Sequence, residues 1–181
     1  MSESGIVITT KRLVLRRART DDAAEVLAMM LDPTTRQWNS HGDVVDLETA
    51  ATWCADQADW SDGTHASFAV TEATSGRFAG SMAIHSINEV QHDAEVGYRI
   101  APWARGRGWG VEALTAATAW AFDNLDLVRI ELCHAVANPA SCAVAARAGY
   151  ALEGTLRQSY IYGNGVRYDE HLHARLNTDQ C

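Results

Sequence analysis

The string Arg105-Gly106-Arg107-Gly108-Trp109-Gly110 constrains this chain more than any other, because a strand-like run, Asp93 to Ile100, precedes it and an apolar helical periodicity begins near Gly108. Strand, basic glycine loop and helix make an anion-binding arrangement. The first N–H groups of a helix lack intrahelical acceptors, the macrodipole adds positive potential, and glycine lets a pyrophosphate come close to the backbone. Arg105 and Arg107 add charge at the same place. Spacing separates the phosphate loops that compete for the string. A P-loop needs a Gly-Lys pair, and the only lysine here is Lys11. A dinucleotide fingerprint needs glycine at position 111, where Val111 stands, and an acidic residue ending a second strand about 20 residues on, where this chain reads helical.

A third loop pattern fits. Arg105, Gly108 and Gly110 satisfy the acyl-CoA loop of the GNAT acetyltransferases, which is Gln or Arg, two residues, Gly, one residue, then Gly or Ala. Downstream, a strand leads into Asn138 and Ser141, a short helix, the pair Gly149-Tyr150 and then Glu153-Gly154. With both segments in this order, the chain resembles the RimJ/RimL-type branch of the GNAT family from about Leu13 to Leu176. The resemblance implies an α/β (α+β) fold: a mixed, mostly antiparallel central sheet flanked by helices and splayed between its two middle strands. It implies acetyl-CoA as cosubstrate and direct attack by a primary amine in a ternary complex. The acceptor is either a protein N-terminal α-amine or a small-molecule amine. A noncatalytic acyl-CoA-binding or sensing module is the alternative, and loss of the strand glutamate or of the Asn138/Ser141 pair would favour it; both are present.

Length and composition fit one acetyltransferase domain over residues 1–181, since 47% hydrophobic residues can build a single core. The net charge of -8 argues against nonspecific nucleic-acid or anionic-membrane binding and is compatible with a cationic partner or with ordinary solubility. Cys54, Cys133, Cys142 and Cys181 form no CxxC pair and read as reduced thiols. No leader-like start and no run of membrane-spanning length is seen, so a cytoplasmic protein is expected; a homodimer stays open.

Strand and helix patterns alternate along the chain. Leu13 to Arg17 reads as a first strand; Asp22 and Glu25 resemble a helix cap with its partner, and the helix behind them runs until Pro33. Leu47 to Ala58 is a second helix, Ser67 to Glu72 and Phe78 to Ile87 a hairpin, and His92 to Ile100 a further antiparallel strand. The helix after the glycine loop, a strand from Val128 to Val136, a short helix from Ala140 to Ala148 and a closing hairpin around Gly163-Asn164-Gly165 complete the order.

Amine attack on a thioester needs no covalent nucleophile. It needs oriented acyl-CoA, donors for the oxyanion, a route for the amine proton and a proton for the departing thiolate. The resemblance implies that the backbone at Gly97, Tyr98, Arg99 and Ile100 meets the acetyl group and pantetheine, while Arg105, Gly106, Arg107, Gly108, Trp109, Gly110 and Val111 hold the pyrophosphate. It points to Ser141 for the thiolate, with Asn138 either contacting pantetheine or only capping the helix that starts at Pro139. Some relatives carry a carboxylate where Tyr160 stands and a tyrosine where His173 follows Asp169. Glu95 is the preferred base, directly or through water, against a simply solvated strand glutamate. His134 and His173 follow, and Tyr160 serves as a proton donor or pocket wall. Trp38, Trp53 and Trp60 are packing residues or an acceptor-side cage, and Asp43, Asp46 and Glu48 a solvated helix start or a cation-attracting patch. No metal site is expected, since His171 and His173 share a strand face but have no partners close in sequence.

Overall fold

The computed structural model describes residues 5–39 and 44–179. Its strands are β1 (Val7–Thr9), β2 (Leu13–Arg16), β3 (Ala66–Glu72), β4 (Phe78–Asn88), β5 (Asp93–Ile100), β6 (Arg129–Ala135), β7 (Ala151–Ile161) and β8 (Arg167–Leu176). Its helices are α1 (Ala23–Leu31), α2 (Pro33–Trp38), α3 (Leu47–Ala58), α4 (Trp109–Asn124) and α5 (Pro139–Arg147). The strands form one eight-stranded sheet in the order β1-β2-β3-β4-β5-β6-β8-β7. Its neighbours are antiparallel except β5 and β6, which run parallel.

That parallel junction positions the site. β5 and β6 are paired only from Asp93–Glu95 to Arg129–Glu131, and beyond Glu95 β5 keeps its pairing with β4 while β6 keeps its pairing with β8. The expected splay between the middle strands is therefore present. Helix α4 buries Ala113, Leu114, Ala117, Thr118 and Ala121, a mostly small-residue stripe at helical spacing. The two sheet faces follow from strand alternation. Ala94, Val96, Tyr98 and Ile100 point to the side of α4 and α5; Glu95, Gly97 and Arg99 point to the other side.

The N-terminal third departs from expectation. Asp22 does not cap α1, because it lies in a 3-10 turn, Thr20–Asp22, with helical torsions, and its carboxylate instead makes a two-point ion pair with Arg16 at 2.7 and 2.8 Å. Glu25 reaches across to the Phe78 amide rather than back to its own helix start. Pro33 does not end helical structure; it opens α2, whose cap is Asp32, accepting from the Thr35 amide at 2.9 Å. The strand β1 went unread because it has three residues at the sheet edge. The β7–β8 hairpin forms as expected, and its Gly163 packs so closely on α2 that a Cβ would overlap the carbonyl oxygens of Arg36 and Asn39.

Among the described residues Cys54, Cys133 and Cys142 are free thiols, and no helix is long and apolar enough to cross a membrane. Asp43 and Cys181 lie outside the described residues.

Candidate active site

The glycine loop leads into α4 as the sequence suggests. Gly108 is the N-cap in the left-handed region, with φ 75°, and the helical ladder begins with Glu112 donating to the Gly108 carbonyl. The amides of Trp109, Gly110 and Val111 therefore head the helix without intrahelical acceptors. Trp109 is 4% exposed and packs edge-on against Trp103, so its side chain anchors the loop rather than lining it. Arg107 is exposed, with its guanidinium over both indole rings. Arg105, expected at the pyrophosphate, bonds Asp32 at 2.6 Å, the Thr35 hydroxyl and the Ile100 carbonyl, tying the loop to α2. Partial burial pushes the Asp32 carboxyl up, but the bonds from Arg105 and the Thr35 amide outweigh it and hold it below its usual value. A basic residue missed in the sequence, Arg12, stands beside Gly108, donates to the Arg107 carbonyl and pairs with Glu112.

On the α4/α5 side of the splay, Tyr98 Oη and Ser141 Oγ are 2.8 Å apart. Burial raises the Tyr98 phenol to about 12, against a smaller lowering by Ser141, so it remains a proton donor at neutral pH. Asn138 caps α5 by accepting from the Ser141 amide, and this bond fixes the backbone that carries the hydroxyl. The capping role is thus present. The Gly149-Tyr150 and Glu153-Gly154 pairs are structural here: the Tyr150 hydroxyl meets Thr118 in the core, and Glu153 pairs with Arg129.

On the opposite face, Glu95 is exposed and sits directly across from His85 of β4 and beside Glu131 of β6. A Cβ on Gly97 would come 3.3 Å from His85 Nε2, so the imidazole lies over the strand at the mouth of the splay. Burial lowers the pKa of His85, and Glu95 pulls it partly back. His85 was not singled out in the sequence, where it is one histidine within an apolar strand; only cross-strand register brings it to Glu95. The same face gathers further acidic groups around Cys133, whose thiol is pushed up to about 12 by burial and then by Glu170, Glu95 and Glu131.

Arg99 donates to the side-chain Oδ1 of Asn39 at 2.6 Å, and burial works against its charge while nearby Tyr160 partly offsets that effect. Tyr160 reaches this spot through an irregularity in β7 between Leu156 and Tyr160, which Asp169 pins by accepting the Gln158 amide. Asp169 is thus a bulge anchor. Trp38 packs on Tyr162 and Tyr168, and Tyr160 on Tyr162, making an aromatic wall near Arg99. Trp60 belongs to an edge-to-face cluster with Phe68 and Trp120, and Trp53 packs against the core. Asp46 caps α3 through Thr49.

His134 lies apart from Glu95. It is three residues beyond Glu131, the rung partner of Glu95, so alternation turns it to the α4/α5 side, where it is 4% exposed. His171 and His173, which have no partners close in sequence, gain them through the fold. The β6–β8 pairing sets His134 opposite His171 and Leu132 opposite His173, and α5 brings Cys142 onto the same patch.

Comparison with known proteins agrees with this geometry. The acetyltransferase (GNAT) domain family matches residues 12–151. YdaF of Bacillus subtilis, provisionally named a ribosomal N-acetyltransferase, is 36% identical over 94 residues, 52% of this chain and 51% of that protein, so the match spans about half of the relative. A structure from Vibrio cholerae, provisionally described as a ribosomal-protein-serine acetyltransferase, superposes with a TM-score of 0.82 at 26% identity, covering 97% of this chain and 99% of that one. The ribosomal L7/L12 α-N-protein acetyltransferase RimL, solved with coenzyme A, gives a TM-score of 0.84 at 22% identity over 94% and 98% of the two chains. With a glycine loop heading α4, a splayed parallel junction and a family match over most of its length, the chain belongs to the GNAT acetyltransferase family.

Proposed function

We propose that this protein moves the acetyl group of acetyl-CoA to the α-amine of a protein N-terminus, with the two substrates meeting in the β5–β6 opening from opposite faces of the sheet. One observation carries this reading. Pairing between the middle strands stops at Glu95 and Glu131, and the opening beyond it has the Tyr98–Ser141 hydroxyl pair on one face and the Glu95–His85 pair on the other. The pyrophosphate of acetyl-CoA lies on the amides that head α4, and pantetheine enters the opening along Tyr98 to Ile100, beside Asn138. RimL binds coenzyme A in the same fold.

The amine nitrogen attacks the thioester carbon, and the developing oxyanion takes hydrogen bonds from unpaired β5 amides. The amine proton leaves to His85 or Glu95, directly or through water. As the C–S bond breaks, the thiolate takes a proton from Ser141, which Tyr98 resupplies; solvent then reprotonates Tyr98 and takes up the proton held by His85 or Glu95. The carboxylates Glu95, Glu131 and Glu170 favour a cationic acceptor, and the wall of Trp38, Tyr160 and Tyr162 with Arg99 borders the approach. Ribosomal-protein names among its relatives support a protein N-terminus as acceptor. Use of acetyl-CoA as cosubstrate supports a cytoplasmic setting for the reaction.

Thiol release from acetyl-CoA, followed against ribosomal-protein N-terminal peptides and a panel of small amines, tests the reading. Peptide-dependent release is expected, together with an acidic limb below pH 6.5 set by the lowered His85. In Glu95→Gln turnover falls about 100-fold, in keeping with one lost acid–base group. Any residual limb moves to lower pH, because Glu95 raises the His85 pKa. Release with polyamines or free amino acids alone moves the acceptor to a small amine. Acetyl-CoA binding with no amine-dependent release overturns the enzymatic reading in favour of an acyl-CoA-binding module.

A further inference from the structure

We propose that His134, Cys142, His171 and His173 form a binding site for one divalent transition-metal ion of borderline softness, Zn2+ in the first place, behind the α5 wall of the active site. Each residue offers one ligand atom, and these atoms all lie within 4.8 Å of one another. Cys142 Sγ stands 4.0 Å from His173 Nε2. Tetrahedral zinc, with Zn–N near 2.0–2.1 Å and Zn–S near 2.3 Å, needs ligand separations of roughly 3.3–3.8 Å. The cluster must contract by about an ångström at its widest, which rotation of the Cys142 side chain and of the rings supplies.

Two features set this group apart from a chance gathering of histidines. The first is tautomer. His134 Nδ1 lies 2.9 Å from the Ala135 carbonyl and His173 Nδ1 3.2 Å from the Tyr150 carbonyl. A carbonyl only accepts, so both Nδ1 atoms carry the proton and both Nε2 atoms present lone pairs, the second-partner arrangement that holds metal-ligating histidines. The second is want of partners. His134 Nε2 and His171 Nδ1 are buried with no hydrogen-bond partner, and His134 as a whole is 4% exposed. A cation between the rings satisfies both nitrogens at once. Cys142 and His171 are half-buried, which leaves a way in from solvent, and the chemistry of three imidazoles and a thiol selects zinc, cobalt or nickel over magnesium or calcium.

Binding replaces the Cys142 S–H bond by an S–metal bond and releases that proton to solvent. Cys142 follows Ser141 on the first turn of α5, so the ion ties that turn to β6 and β8 and fixes Ser141 against Tyr98.

The test uses tag-free, chelator-treated protein titrated with Co2+ and then Zn2+. One ion per chain is expected, with a thiolate-to-cobalt charge-transfer band, displacement of cobalt by zinc and a raised Tm. Cys142→Ser removes the band, and Cys142→Ser and His171→Ala each weaken zinc binding about tenfold or more, as loss of a group from a metal site does. Both positions are half-buried, so these variants keep the fold, which circular dichroism checks; His92→Ala, remote from the cluster, changes nothing. No charge-transfer band in the wild type, or a zinc affinity that survives both substitutions, overturns the proposal. Neither readout involves acetyl transfer, so the proposal stands or falls separately from the reaction above.

Discussion

Ser141 and Tyr98 share one hydroxyl-to-hydroxyl contact, and the departing thiolate needs its proton only as the C–S bond breaks. An interaction made mainly in the transition state alters kcat and leaves KM alone. Ser141→Ala is therefore expected to lower kcat about 100-fold, the scale of one general-acid contribution, with KM for acetyl-CoA changed by less than about threefold. Tyr98→Phe lowers kcat about tenfold, and the double variant is no slower than Ser141→Ala, because the two act as one relay. Steady-state kinetics on the three variants checks this; independent, multiplying losses contradict it. Ser141, Asn138 and the glycine loop were legible in the sequence because each belongs to a short local pattern. Tyr98 was named there only for its backbone, and His85 not at all. Their chemistry comes from partners 43 residues away and across a strand rung, which no local spacing encodes.

From the hairpin over Thr74-Ser75-Gly76 to the last one over Gly163-Asn164-Gly165, the elements followed from apolar periodicity and turn residues almost as written. Helix α2 did not. Its six residues carry no readable period, and its start signal, Asp32 followed by Pro33, looks equally like a helix stop. What holds α2 is tertiary: Asp32 joins its own cap to Arg105 of the glycine loop, and Gly163 closes on its carbonyls. Replacing Gly163 with alanine forces the hairpin off α2 and is expected to destabilise the protein by about 2 kcal/mol, the usual scale of overpacking, as read from urea unfolding.

The Asp32–Arg105 pair gives α2 a pH signature. The folded Asp32 carboxyl is held below its ordinary value of 3.8, so its contribution is fully present above that value and is lost as pH falls through the folded one. Asp32→Asn keeps a good helix cap and removes the charge. The stability difference between wild type and Asp32→Asn should be level from pH 5 to 8 and shrink below about pH 4, where the unfolded carboxyl titrates. A difference that stays constant down to pH 3 contradicts the pairing.

At the scale of the molecule, the sheet is antiparallel on both flanks and parallel at one junction, and the proposed function rests on that junction failing to pair beyond Glu95 and Glu131. In the proposed reaction acetyl-CoA is the partner of the unpaired β5 edge and of the amides heading α4. Hydrogen–deuterium exchange with and without saturating acetyl-CoA tests this most directly. The account predicts slowed exchange in three stretches: the β5 amides from Gly97 to Ile100, the loop from Gly106 to Val111, and the α5 start at Asn138 to Ser141. The β7 strand, at the far edge of the sheet, should be unchanged. Binding that leaves the loop and the β5 edge exchanging as in the free protein, with protection elsewhere, would contradict it.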